Sequence, residues 1–219
     1  MVMRYDACMK VHEIGWNAEW GGVRLGAVLD LARVPCPDMR LVKQVHGSLV
    51  LGDDSWQSGM EADGMVTKAS NVALVIKTAD CVPVHIVAPG QVATIHAGWR
   101  GLRGGIMEKT LPLFPVQETL AVIGPCICST HYEVDADLYA DWVADEPDVA
   151  THLYPSGNHP TKRLLDLQAL VTHKLSAAGV PLDKIHTVDK CTFGSRQLPS
   201  YRRDRTHLRI YNYTILTTP

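Results

Sequence analysis

Long apolar runs, a leader-like beginning and an excess of charge of one sign are all missing from this 219-residue sequence. No stretch approaches the roughly 18 to 20 consecutive apolar residues that a membrane-spanning helix needs. The first residues contain no apolar segment ahead of the polar stretch 10–13, so no secretory signal peptide is predicted. We therefore expect a cytoplasmic protein with no membrane partner.

The formal net charge is −2, from 21 basic and 23 acidic residues. Proteins that bind nucleic acid or anionic membranes through general electrostatics carry a basic excess, so no nucleic-acid partner is expected. Internal repeats, low-complexity tracts and linkers are also lacking. Hydrophobic residues make up 46% of the chain, which is long enough to bury a sizeable core. We expect a single domain over residues 1–219.

A disulfide framework is not predicted, although the chain contains six cysteines. They are dispersed over a large chain rather than concentrated in a small secreted domain, so we interpret them as thiols in a reducing compartment. Cys126 and Cys128 are too close together for an easy bridge. Their spacing also differs from the CxxC of zinc knuckles and thioredoxin-like sites.

The sequence does contain a series of short β-branched runs separated by turn residues. Residues 1–40 are poorly patterned, because glycine and proline interrupt them. Strands are predicted at 41–45, 48–51, 63–67, 71–78, 82–88, 91–95, 120–123, 185–188 and 208–216. Helices are predicted at 105–114, 134–144 and 164–178. Because strands and helices do not alternate regularly, we expect a mixed α/β (α+β) fold rather than a doubly wound one.

Chemically capable side chains stand beside glycines at predicted strand ends, in segments 44–47, 78–81 and 96–101. Functional sites are often built at such positions, because the strands hold the loops rigidly. The segments contain His46, Cys81 and His96, and two imidazoles with one thiolate are a donor set that suits zinc. Three protein ligands leave one tetrahedral position for water or substrate, as in catalytic zinc sites.

The spacing of His46, Cys81 and His96 along the sequence leaves other interpretations open, because it matches no compact metal-binding motif. Single histidines and cysteines are often packing residues, and Cys81 with a histidine would also suit nucleophilic catalysis. Arg100 would suit a phosphate or carboxylate group, or would stack on Trp99. We interpret the charged segment 200–204 as an ion-paired turn.

The order and density of the motifs resemble the laccase-domain purine nucleoside phosphorylase family, also called multicopper polyphenol oxidase or YfiH/YlmD-like proteins. The motifs are QVHG at 44–47, ADG at 62–64, TADCVPV at 78–84, HAGWRG at 96–101, IGPC at 123–126, YEV at 132–134, CT at 191–192 and SYRRD at 200–204. The resemblance implies two packed mixed β-sheets flanked by helices, similar to the catalytic domain of cytotoxic necrotizing factor.

The resemblance also implies zinc on His46, Cys81 and His96. It implies phosphorolysis of adenosine, inosine, guanosine and methylthioadenosine to the base and ribose 1-phosphate, with adenosine deamination as a further activity. The expected partners are therefore a small-molecule nucleoside and phosphate, and the oligomeric state stays open.

Roles for the neighbouring side chains follow as hypotheses. Arg100 would hold the phosphate, and Asp80 would move a proton or orient a ligand histidine. Gln44 and Cys126 would contact the substrate. Cys81 would serve as a zinc ligand or as a nucleophile, because both uses compete for one sulfur atom.

The chain departs from the family pattern in its N-terminal segment, at Cys128 and after Asp204, where Thr206-His207-Leu208-Arg209 replaces the expected Thr-Gly-Arg. Residues 1–39 form a shortened N-terminal segment in a region that helps to enclose the substrate, and Cys128 stands where the family usually has glycine. Three alternative functions stay open: a cytoplasmic hydrolase that edits peptidoglycan precursors, a copper polyphenol oxidase and a non-catalytic zinc-stabilised nucleotide-binding protein. The ten histidines include no His-x-His pair, which favours zinc over a copper cluster.

Overall fold

The computed structural model describes residues 10–12, 15–157 and 159–217. The strands are β1 (Lys10–His12), β2 (Gly15–Trp20), β3 (Val23–Val28), β4 (Met39–Leu41), β5 (Val50–Leu51), β6 (Gly64–Thr67), β7 (Ala73–Thr78), β8 (Val82–Ala88), β9 (Gln91–Ala97), β10 (Leu120–Ile123), β11 (Glu133–Asp135), β12 (Leu153–Pro155), β13 (Lys162–Leu165), β14 (Ile185–Thr187) and β15 (Ile210–Leu216). The helices are α1 (Trp99–Arg103), α2 (Ile106–Thr110), α3 (Ala136–Asp145), α4 (Leu167–Ala177) and α5 (Tyr201–Asp204). None of these helices has the length and apolar character that crossing a membrane requires.

Two six-stranded sheets form the centre of the molecule. Their strand orders are β1-β2-β3-β15-β7-β4 and β14-β10-β8-β9-β6-β5, and a third sheet has the order β11-β13-β12. Both large sheets are mixed, because β4–β7, β5–β6 and β10–β14 pair in parallel whereas their other pairs are antiparallel. The predicted mixed α/β fold is confirmed, and the irregular strand order excludes a doubly wound sheet.

The two large sheets pack against each other through one apolar core. Trp16 and Ile76 of the first sheet share this core with Val92 and Val122 of the second. Alternate residues of β8 point to opposite faces, so Val87 enters the shared core while Ile86 points away from it. Helices α1 to α4 cover that outer face of the second sheet, and their buried apolar side chains exclude water from it.

Strands β2 and β3 were not predicted, because residues 1–40 appeared poorly patterned. The inward alternation is nevertheless present, since Trp16, Ala18, Leu25 and Ala27 are all buried. Gly26 interrupts the apolar pattern for a steric reason. A Cβ at this position would lie 2.4 Å from the backbone oxygen of Trp16, so only glycine lets the two strands pair here.

Several predicted boundaries were wrong. The helix predicted at 164–178 begins at Leu167, because the Asp166 carboxylate accepts a hydrogen bond from the Ala169 amide and caps it. The preceding residues pair as β13 instead. The strand predicted at 41–45 ends at Leu41, and only an isolated bridge at Lys43 follows.

Candidate metal centre

Two connections between the large sheets and one strand carry the predicted ligands. The chain crosses from β7 in the first sheet to β8 in the second at residues 79–81, which places Cys81 at the junction. His46 lies in the connection between β4 and β5. His96 lies within β9, which continues to Ala97 rather than ending at residue 95 as predicted.

The structure brings these three side chains together. One ligand atom from each of His46, Cys81 and His96 lies within 4.8 Å of the other two, and the two imidazole rings meet edge to face at 4.9 Å between centroids. Gly98 closes one side of the group. A Cβ there would lie 3.2 Å from Sγ of Cys81 and 3.4 Å from Cδ2 of His46. The converging nitrogen and sulfur donors fit a tetrahedral zinc ion.

Asp63 organises this site, although the sequence analysis assigned it no role. Its carboxylate is fully buried and lies 2.7 Å from Nδ1 of His96. It also accepts hydrogen bonds from the backbone amides of Val45, His46 and Gly47. One carboxylate therefore orients His96 and holds the turn that presents His46, so Nε2 of His96 is the nitrogen available to a metal. The ADG motif was the available signal.

The charges at the site favour a thiolate. Burial opposes ionisation of Cys81, but the charge of His96 and hydrogen bonds with His46 and His96 outweigh it and lower the pKa of Cys81 to about 6. Burial likewise opposes protonation of His96, yet the Cys81 and Asp63 charges raise its pKa to about 9. The sulfur is therefore prepared for metal binding or nucleophilic attack.

The centre is partly accessible to solvent. His96 is 3% exposed, whereas His46 is exposed and Cys81 is partly exposed. Arg100, at the start of α1, is exposed and its guanidinium lies 4.4 Å from the centroid of the Trp99 ring. Among the described residues no acidic side chain pairs with it, so its charge is available to an anion.

The side chains of two other predicted site residues, Gln44 and Asp80, form hydrogen bonds within the protein. The Gln44 side-chain amide donates to the Lys77 carbonyl and accepts from the Lys77 amide, both at 2.7 Å. It therefore ties the connection that carries His46 to strand β7, and both of its polar groups are used. The Asp80 carboxylate accepts from the Thr192 hydroxyl and the Arg202 amide, each at 2.6 Å. Asp63 rather than Asp80 contacts a ligand histidine.

Cys126 does not lie where a substrate contact requires it. Its side chain is 2% exposed and packs in the core between the second sheet and the helices. Burial raises the pKa of its thiol, so the sulfur stays protonated. Cys126 is therefore given a packing role, and no substrate contact through its sulfur is proposed.

The segment 200–204 combines an ion pair with further contacts near the site. Arg203 pairs with Asp204 at 2.6 Å, as predicted for this turn. Arg202 lies over the Tyr132 ring at 4.9 Å. Burial, followed by the nearby charge of Cys81, raises the pKa of Tyr132 to about 12. Tyr132 therefore keeps its hydroxyl protonated at neutral pH, within the electrostatic influence of Cys81, a feature that the YEV motif signalled without revealing its role.

The fold agrees with comparisons to known proteins, which also identify the family. The family described as multi-copper polyphenol oxidoreductase laccase matches residues 25–216. The chain belongs to this family. A similar Xylella fastidiosa protein, named purine nucleoside phosphorylase, is 35% identical over 193 residues, which cover 83% of this chain and 72% of that protein. The Escherichia coli K12 protein named purine nucleoside phosphorylase YfiH is 31% identical over 179 residues, covering 78% and 71%.

Solved structures of this laccase family show the same fold. The crystal structure of the Bacillus licheniformis hypothetical protein YfiH superposes with a TM-score of 0.85 at 23% sequence identity. The match covers 95% of this chain and 99% of that one. The two proteins therefore share the arrangement of packed mixed sheets, although their sequences differ at most positions.

Proposed function

We propose that this chain is a zinc-dependent purine nucleoside phosphorylase that acts in the cytoplasm on adenosine, inosine, guanosine and methylthioadenosine. The single observation that carries the proposal is the cluster of His46, Cys81 and His96, in which His46 is exposed. Helix α1, which follows the His96 strand, adds the exposed Arg100, whose guanidinium pairs with no acidic side chain of the described residues. A metal-binding centre next to an anion-binding group suits a reaction between a nucleoside and phosphate. The names of the relatives support the same substrate class.

His46, Cys81 and His96 would hold the zinc, which supplies Lewis-acid polarisation of a bound oxygen when present. Cys81 is assigned as a ligand rather than a nucleophile, because two histidines converge on the same sulfur. Asp63 would keep His96 in the tautomer whose Nε2 faces the ion. Zinc is preferred to copper because the donor set lacks the several paired histidines of multicopper clusters.

In the reaction, a phosphate oxygen attacks C1′ of the ribose, the bond from C1′ to the base breaks, and the base leaves after gaining a proton. Arg100 would bind the phosphate and hold it in line with that bond. The Tyr132 hydroxyl, which stays protonated at neutral pH, would donate a hydrogen bond to the nucleoside. Gln44 and Asp80 would act by positioning the turns that carry His46 and Cys81.

The test is chromatographic measurement of base released from inosine and adenosine by zinc-loaded protein, with and without phosphate. Phosphate-dependent release that disappears in Cys81→Ala is the expected result. Arg100→Met should raise the KM for phosphate at least tenfold while leaving the zinc content unchanged. Arg103→Met is the matched control, because Arg103 lies on the same helix but faces Asp145 at 3.9 Å.

Other outcomes separate the alternatives. Inosine formed from adenosine would add the deaminase activity. No base release by zinc-loaded protein under either condition would overturn the phosphorylase proposal and direct attention to the precursor-editing hydrolase, which needs no phosphate. Phenol oxidation by copper-loaded protein would support the oxidase. Zinc-dependent stability without any turnover would support a non-catalytic binding protein.

A further inference from the structure

We propose that Cys128, His131 and Cys191 form a second zinc-binding site, separate from the cluster of His46, Cys81 and His96. One ligand atom from each of the three residues lies within 4.8 Å of the other two. Two thiolates and one imidazole are again a donor set that zinc prefers. In the described part of the chain, only this cluster and the cluster of His46, Cys81 and His96 bring three potential metal ligands this close together.

A tight turn places the first two donors on the same side. Residues Ser129–His131 form a 3-10 turn that is capped by Cys128, and the His131 amide donates to the Cys128 carbonyl at 3.1 Å. Side chains three residues apart lie nearly one above the other in a 3-10 turn. The spacing Cys-x-x-His therefore directs both side chains to one point.

The third donor, Cys191, lies in a loop that hydrogen bonds from Arg203 hold in one conformation. Sγ of Cys191 accepts hydrogen bonds from the amides of Cys128 at 3.3 Å and Gly194 at 3.4 Å. Amide donors directed at a sulfur stabilise its thiolate form, which is the form that binds metal. The Arg203 guanidinium donates to the carbonyls of Thr192, Phe193 and Ser195, so the loop is held in this conformation.

One of the two sulfur distances at His131 is that of a zinc site, and the other is shorter. Zinc bonds of about 2.3 Å to sulfur and about 2.1 Å to nitrogen place tetrahedral sulfur and nitrogen ligands about 3.6 Å apart. Nδ1 of His131 lies 3.6 Å from Sγ of Cys191 and 3.0 Å from Sγ of Cys128. The imidazole also stacks on Phe193 at 4.6 Å between centroids, which fixes the ring plane. A small outward shift of Cys128 completes the geometry.

The fourth coordination position faces solvent, because all three residues are at least partly exposed. Water completes the tetrahedron there. The Thr130 hydroxyl lies 3.2 Å from Sγ of Cys128 and supplies a hydrogen bond to that thiolate. When the ion binds, the two thiols each release a proton and no electrons are transferred.

An ion at the second site would also stabilise the residues that surround the first site. Thr192, next to Cys191, donates to Asp80, which precedes Cys81. Arg203, which holds the Cys191 loop, follows Arg202, which covers the Tyr132 ring. An ion that joins residues 128–131 to residue 191 would therefore restrain the segment that shapes the neighbouring centre.

The test is zinc content after dialysis of protein purified under reducing conditions, measured by elemental mass spectrometry. The expected result is two equivalents in the wild type and one in either His131→Ala or Cys128→Ser. Ser129→Ala, a change in the same turn at a side chain without a donor role, should keep both. Cobalt-loaded His131→Ala should lose the thiolate charge-transfer absorption of the second site, and circular dichroism should show unchanged folding.

Cys81→Ala distinguishes the two sites, because it should remove only the first equivalent. If it removed none while His131→Ala removed one, the first-site proposal would fail and the second would stand. A single equivalent in the wild type that Cys81→Ala abolishes would overturn the second site. A disulfide between Cys128 and Cys191 that persists under the reducing conditions would also overturn the second site. Mass spectrometry would detect it as a mass 2 Da lower than that of the dithiol.

Discussion

The buried Asp63 carboxylate accepts a hydrogen bond from Nδ1 of His96 at 2.7 Å, and the same carboxylate holds the backbone of the His46 turn. A single acidic side chain therefore controls the orientation of one ligand and the position of another. Such contacts raise the basicity of a ligand histidine and hold it in one tautomer.

Asp63→Asn is predicted to weaken zinc binding about 10- to 100-fold, because the amide stabilises neither the His96 tautomer nor the turn at residues 45–47 as well. Competition with a chromophoric chelator would measure the dissociation constant. Glu61→Gln is the matched control, since that exposed carboxylate only pairs with Lys43 at the surface. Equal affinity in the wild type and Asp63→Asn would contradict the assigned role.

Gly98→Ala should reduce zinc affinity without unfolding the protein. The new Cβ would lie 3.2 Å from Sγ of Cys81, so the sulfur must shift away from its position between the histidines. The backbone of Gly98 has φ −76, which alanine adopts readily. Calorimetric zinc titration would detect the loss, and Gly157→Ala, where a Cβ meets nothing within 4 Å, is the control.

Cys81 is expected to react faster than Cys36 and Cys126 in zinc-free protein at pH 7. Its pKa of about 6 makes it mostly thiolate, whereas Cys36 and Cys126 are buried. Alkylation with iodoacetamide followed by peptide mass mapping would measure each rate, and zinc should protect Cys81. Equal rates with and without zinc would exclude the ligand assignment.

His85 is predicted to destabilise the folded protein at acidic pH. Burial lowers its pKa to about 3, while its Nδ1 pairs with Thr214 and its Nε2 has no partner in the described structure. Above pH 6.5 the residue is neutral in both the folded and unfolded states, so it contributes no pH dependence. Below pH 6.5 only the unfolded chain takes up the proton, so stability falls as pH falls, by about 2 kcal/mol at pH 5.

Urea unfolding of the wild type and His85→Asn at pH 7.5 and pH 5 would measure this contribution. The variant keeps a polar group near Thr214 but does not titrate, so it should lose about 2 kcal/mol less than the wild type on acidification. His207→Asn, at an exposed position, should behave as the wild type. An identical pH dependence in wild type and His85→Asn would show that His85 is not the group responsible.

Much of the fold was predictable where the apolar pattern was strong. Strand β8 was predicted with its observed limits, because a run rich in β-branched residues (Val82, Val84, Ile86 and Val87) is bounded by turns. Strands β2 and β3 were missed, because the glycines among residues 15–26 hide their inward alternation, and the role of Gly26 depends on the backbone of Trp16 across the pair. The start of α4 was misplaced, because β13 pairing takes up the residues before its cap.

The sequence by itself determined the donor chemistry: two histidines and a cysteine beside glycines, in a motif order that identifies the family. Only the tertiary structure decided how the other side chains are used. Asp63 became the organiser because buried backbone amides and His96 surround its carboxylate. Gln44 was drawn to the β7 backbone, and Cys126 was enclosed in the core. The proximity of Cys128, His131 and Cys191 depends on a loop closure across some sixty residues, which no local pattern encodes.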